Sequence, residues 1–88
     1  MKTIWKYVLD DSTQLVALPK SAQIISCCEQ GDQICIWASV NTEMPNEARR
    51  FNIYPTGQNI AEPEKLKFIG TALLNGGALV FHVFEAPV

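Results

Sequence analysis

Phe68-Ile69-Gly70-Thr71-Ala72-Leu73-Leu74-Asn75-Gly76-Gly77-Ala78-Leu79-Val80-Phe81-His82-Val83-Phe84 is the stretch on which the fold of this chain turns. Two apolar runs flank Asn75-Gly76-Gly77, a tripeptide of residues that accept positive φ. That is the strongest short-range hairpin signal a sequence offers. Both runs are apolar at successive positions, so both faces of each strand are expected to be covered and the hairpin to lie at the centre of the core. No other stretch carries a signal of that strength for chemistry.

Working outward, punctuation falls at short intervals, and the runs between are rich in Ile, Val, Thr, Trp, Tyr and Phe. Thr3–Leu9 reads as a first strand, ended by Asp10-Asp11-Ser12, and Thr13–Leu18 as a second, closed by Pro19, which cannot donate to a ladder. Ala22–Glu29 and Gln33–Val40 form a hairpin across Gln30-Gly31-Asp32. Arg49–Tyr54, Leu66–Leu74 and Ala78–Phe84 complete the set. Asn41–Ala48 has room for one helical turn, and Pro55–Lys65, with Pro55-Thr56-Gly57 and Glu62-Pro63-Glu64, reads as an irregular loop. Loops of this length in a compact domain are disproportionately where binding occurs. The expected architecture is one all-β domain over residues 1–88, a small antiparallel sandwich or barrel of about six to seven strands.

Composition bounds the function. The 88 residues are 48% hydrophobic and 18% charged, a globular composition near the lower size limit for a single core. So short a chain has little interior for that much apolar residue, so a homo-oligomer is expected. A net charge of −2 argues against electrostatic binding to nucleic acid, which needs a basic face to displace counterions. Nine carboxylates against seven cations are also too nearly balanced for a DNA mimic. Lys2 and Lys6 surround too short an apolar stretch for a signal peptide, and no run approaches a membrane helix. A soluble intracellular protein with no membrane partner is the expectation.

Three segments carry a family resemblance: Met1-Lys2-Thr3-Ile4-Trp5-Lys6-Tyr7, Leu18-Pro19-Lys20-Ser21-Ala22-Gln23-Ile24, and Gly76-Gly77-Ala78-Leu79-Val80-Phe81-His82-Val83-Phe84-Glu85. With Trp37-Ala38, Arg50-Phe51-Asn52-Ile53-Tyr54 and Gly57 between them, the chain resembles, over nearly its whole length, a group of short proteins carried by bacteriophages and prophages and catalogued as a domain of unknown function. The shared motifs are strands and turns, so no catalytic residue is implied. What the resemblance implies is a setting, a phage accessory protein in the cytoplasm of its bacterial host.

The residues that bear chemistry are few. Cys27, Cys28 and Cys35 form an odd set, and neighbours in a strand point to opposite faces, so Cys27 and Cys28 are poorly placed to bridge. Zinc would need a fourth ligand, and the single histidine is distant in sequence. Reduced, buried cysteines are expected, and no metal or cofactor. His82 shares a strand face with Val80 and Phe84. It reads as a packed or hydrogen-bonded sheet histidine unless a carboxylate or nucleophile lies within reach. Trp5, Tyr7 and Leu9 share one face of the first strand, which suits a core or subunit interface better than a base-stacking platform. Gly70 interrupts its strand and marks a bulge or a close backbone approach.

Arg49 and Arg50 sit where the long connection meets the fifth strand, one pointing to each face. A surface arginine would pair with Glu43 or Glu47. The sharper reading assigns Arg50, with Asn52 and Tyr54 at alternate positions on its face, to a ligand or partner site, since an Arg fork recognises carboxylate or phosphate bidentately. Thr56 and Gln58 are further hydrogen-bonding residues nearby. With no nucleophile–base or metal constellation visible, the expected activity is binding. The foremost candidate is a phage accessory protein that binds and modulates or inhibits a bacterial host protein, including one of anti-phage defence. The rival is a protein that sequesters a nucleotide-type anion at a subunit boundary.

Overall fold

The computed structural model describes residues 1–88 as two antiparallel sheets without an α-helix. The strands are β1 (Lys2–Leu9), β2 (Gln14–Pro19), β3 (Gln23–Gln30), β4 (Gln33–Asn41), β5 (Asn46–Pro55), β6 (Lys67–Leu74) and β7 (Leu79–Ala86). One sheet has the order β1-β4-β3 and the other β2-β5-β7-β6. The result is a thin sandwich, 16 Å across its shortest axis.

Period-2 alternation explains which residues face inward. Along β4, Ile34, Ile36, Ala38 and Val40 are all buried and face the second sheet. That sheet contributes Phe51 and Ile53 from β5, Phe81 and Val83 from β7, Ala72 from β6 and Leu18 from β2. Leu9 closes one end, and Tyr7 packs partly against the same cluster. Trp5, on the same face of β1, stays 42% exposed because β1 is the outer edge of its sheet.

Both hairpins form on their turn chemistry. Gly31 and Asp32 take φ of +59° and +60°, the mirror-image turn that suits the twist of two paired strands. Asn75, Gly76 and Gly77 all have positive φ, which a β-branched residue could not sustain. The two turns are tied together, since Asp32 Oδ1 accepts the Asn75 backbone N–H at 2.8 Å.

The β6–β7 hairpin is only half central, contrary to the sequence-based expectation. β7 lies inside its sheet, but β6 is an edge strand, with Phe68 and Leu73 more than half exposed. Apolar residues on both faces therefore do not imply full burial in so small a protein. The Asn41–Ala48 connection holds no helical turn. β5 begins at Asn46 because Asn46–Ala48 pairs with Ala17–Pro19 of β2, a pairing that overrides its weak strand propensity. Pro19 is the last residue of β2 rather than its stop.

Gly70 fulfils both roles expected of it. The β6–β7 register shifts between Phe68 and Gly70, and a Cβ at Gly70 would stand 2.8 Å from Cys27 Cβ. This is where β6 and β3, edges of opposite sheets, come together. Because Cys27 Cβ is fixed to its backbone, the contact cannot be relieved by a rotamer change. Gly70→Ala is expected to cost about 1–3 kcal/mol of stability through overpacking, measured by urea unfolding. A midpoint unchanged from the parent would show that the two edges separate freely.

Candidate functional site

Strand pairing brings together residues that are distant in sequence. On the outer face of the four-stranded sheet, β5 presents Arg50, Asn52 and Tyr54, and β7 sets Ala86, Phe84 and His82 directly opposite them. β6 adds Phe68 beside Phe84 and Thr71 beside His82. The segment after β5, with a short turn of helix at Pro63–Lys65, folds back across this face. A cleft of about 320 Å³ results, lined by Arg50, Asn52 and Tyr54 from the sheet and by Ala61, Glu62, Lys65 and Leu66 from the segment. Ala86 and Pro87 complete its wall.

Arg49 and Arg50 point to opposite faces as alternation requires, and their fates differ. Arg49 turns inward and pairs with Glu85, not with Glu43 or Glu47 as a surface arginine would. Its Nε and Nη2 donate to the two carboxylate oxygens at 2.6 and 2.8 Å, and Nη1 donates to the Ala22 carbonyl. Hydrogen bonding to Glu85 raises the Arg49 pKa above its ordinary value, and burial opposes this. Arg49 thus ties β5 to its neighbour β7 through Glu85 and to the residue preceding β3 through the Ala22 carbonyl. Arg50 faces the cleft, where Nη1 donates to the Pro87 carbonyl at 3.2 Å and no carboxylate lies within ion-pair distance.

The floor beside Arg50 is polar on one side and aromatic on the other. Asn52 Nδ2 donates to the Tyr54 hydroxyl at 3.1 Å, while Asn52 Oδ1 is buried without any hydrogen-bond partner. The Tyr54 ring meets Phe84 edge-on at 5.8 Å, and Phe84 meets Phe68 likewise at 5.5 Å. These contacts fix the plane of Tyr54 before anything binds. Lys65 and Glu62 pair with each other at 2.8 Å on the cleft wall. The charge they leave uncompensated is that of Arg50.

His82 neighbours this cleft in register, opposite Tyr54. Its Nε2 hydrogen-bonds the Thr56 hydroxyl at 2.8 Å and its Nδ1 the Thr71 hydroxyl at 3.1 Å. With a hydroxyl on each ring nitrogen, the two threonines hold the ring. Both partners are neutral hydroxyls and neither is a carboxylate or thiol, which gives His82 the surroundings of a positioned sheet histidine. Thr56 contributes here rather than to the cleft, and Gln58 is not among the cleft residues.

The three thiols are free. Cys28 is exposed on the outer face of β3, opposite the fully buried Cys35 of β4. Cys27 faces inward, where burial first, and then its neighbours Cys28 and Cys35, push its pKa up to about 11. At neutral pH Cys27 is a protonated thiol and a poor nucleophile. No group of three or more His, Cys, Asp or Glu side chains is placed to hold a metal ion, and no helix is long and apolar enough to cross a membrane.

Sequence reasoning reached Arg50, Asn52 and Tyr54 by alternation within one strand. It missed Lys65, Glu62, Phe84 and Phe68. Lys65 and Glu62 sit in an irregular segment whose path no periodicity encodes. Phe84 and Phe68 depend on β7 lying next to β5, a pairing of strands that do not follow one another in the chain. The one available signal was the position of Phe84 and His82 on the same face of a strand with few other polar residues.

No curated protein and no solved structure matches this chain. One family model nevertheless matches, and its match covers the chain. Over residues 1–88 the chain belongs to the family described as a domain of unknown function, DUF7352.

Proposed function

We propose that this chain acts by binding rather than catalysis, and that its Arg50–Asn52–Tyr54 cleft captures a small anion of the nucleotide type. The buried Asn52 Oδ1 carries the reading. A polar atom removed from water without a partner costs about 1–3 kcal/mol, and its residue, Asn52, lines a cleft beside an arginine with no carboxylate on it. A ligand that brings phosphate to Arg50, a ring to Tyr54 and a hydrogen-bonding edge to the Asn52 amide satisfies all three at once. The cleft volume, about 320 Å³, falls at the lower end of small-ligand pockets, which run from roughly 300 to 1,000 Å³. In the setting implied by the resemblance to phage proteins, such capture would deplete a signalling nucleotide in the host bacterial cytoplasm.

The test is the thermal midpoint against a nucleotide panel, with mass spectrometry of small molecules released from the purified protein on heating. One nucleotide class is expected to raise the midpoint by several degrees. Arg50→Ala is expected to fold normally and to weaken that affinity by about 2–4 kcal/mol. Unchanged affinity in Arg50→Ala would return Arg50 to the solvated surface.

A second reading, inhibition of a host protein, is favoured by one observation on the opposite sheet. Ile4 and Val8 are 57% and 48% exposed on the outer face of β1, in register with Ser39 and Cys35 and flanking Trp37. An apolar strip of this kind is a common partner or self-association surface. Under this reading Ile4→Lys with Val8→Lys abolishes capture of the partner protein and Arg50→Ala does not.

A further inference from the structure

Beyond that cleft, the geometry points to a second anion site at the other end of the sandwich: we propose that a groove holding Lys2 and Lys20 binds a diphosphate-type group. The groove, about 320 Å³ in volume, lies where β1, the β2–β3 turn and the end of β4 meet. Its polar lining is Lys2, Lys20, Ser21, Gln23, Ser39 and Asn41, and no carboxylate is among the residues that line it. Glu43, the chain neighbour of the lining residue Met44, is engaged at 3.6 Å by the terminal ammonium.

The disposition of charge is what singles out this groove. In a chain of net charge −2, Lys6, Lys65, Arg49 and Arg50 all have hydrogen-bond or ion-pair partners. Lys2, Lys20 and Lys67 have none for their side-chain ammonium groups, and of these three Lys2 and Lys20 line this one groove. β1 pairs Lys2 with Asn41, and the Lys20 backbone N–H donates to the Pro45 carbonyl at 2.8 Å, which pins the turn against the start of β5. Ser21 follows with a φ of +68°, a left-handed conformation that a serine adopts at a cost. Two like charges lining one groove repel each other, and an anion between them relieves that repulsion.

The donor set selects the class of anion. Ammonium groups act as point charges on phosphate rather than as the planar fork that a carboxylate prefers. Two lysines that share a groove with serine hydroxyls and side-chain amides suit two linked phosphoryl groups, which carry more than one negative charge. A single carboxylate would leave one lysine uncompensated.

Inorganic pyrophosphate is the probe, titrated into the full chain while backbone amide resonances are followed by NMR. Saturable one-to-one binding is expected, with the largest shifts at Lys20, Ser21 and Asn41. Lys2→Gln and Lys20→Gln are each expected to weaken it by about tenfold, and Lys67→Gln, an exposed lysine on β6, to leave it unchanged. Non-saturating shifts, or equal weakening by Lys67→Gln, would reduce the effect to diffuse electrostatics and overturn the proposal. So would loss of binding in Arg50→Ala with the lysine variants unaffected, since that would place the anion in the first cleft.

Discussion

Phe51→Ala is expected to leave the chain at the edge of unfolding at room temperature. Phe51 is the largest fully buried side chain, and it sits on β5, the strand joined to both β2 and β7. Truncating a buried Phe costs about 3–5 kcal/mol, transfer and cavity together, against a total of about 5–15 kcal/mol for a domain. At about 4–8 °C per kcal/mol for this size, the midpoint should fall by at least about 12 °C. Phe68→Ala supplies the contrast. Phe68 is 57% exposed at the sheet edge, and its loss should cost under about 1 kcal/mol. If the two variants melt together, the core does not lie between the sheets as described.

The second large effect concerns Arg49. In Glu85→Ala the guanidinium, 17% exposed, would lose both carboxylate contacts and keep only the Ala22 carbonyl. An incompletely buried cation left in that state should cost about 2–4 kcal/mol. Replacing both partners, Arg49→Met with Glu85→Leu, should recover most of that loss, because exchange of an internal ion pair for packed apolar groups is often neutral. The double-mutant cycle reads the coupling directly. Equal destabilisation by the single and double variants would show that the packing of the arginine stem, not the charge pair, supplies the stability at this site.

These residues also mark where the sequence was legible. Asn75-Gly76-Gly77 and Gly31-Asp32 announce their turns because positive φ is a local requirement, met by few residue types. Gly70 was readable for a related reason, as a residue without a Cβ inside an otherwise apolar strand. The inward set Ile34, Ile36, Ala38 and Val40 follows from alternation alone. What alternation cannot supply is which strands become neighbours. Arg49 shows this well: its partner, Glu85, is 36 residues away and enters only because β5 pairs with β7. The cleft shares the limitation. Arg50, Asn52 and Tyr54 were visible on one strand, but the wall that makes them a cleft comes from an irregular segment placed by tertiary packing. Apolar content misled in one respect, since a run such as Leu66–Leu74 looks interior by composition and proves to be an edge.

The link between the two hairpin turns, Asp32 to Asn75, bears on the order of assembly. Each hairpin closes over a few residues, and such units form on the order of microseconds. The rest of each sheet waits for distant partners: Lys2 must find Asn41, and Arg50 must find Ala86. Chains dominated by such non-local pairings complete folding on the order of milliseconds to seconds. The Asp32 carboxylate is therefore expected to join the two hairpins before either sheet is finished. On that expectation, β3 and β6 reach their final proximity ahead of the pairing of β1 and β2. Asp32→Ala should then slow refolding more than it speeds unfolding, placing the joint between the turns in the rate-limiting step.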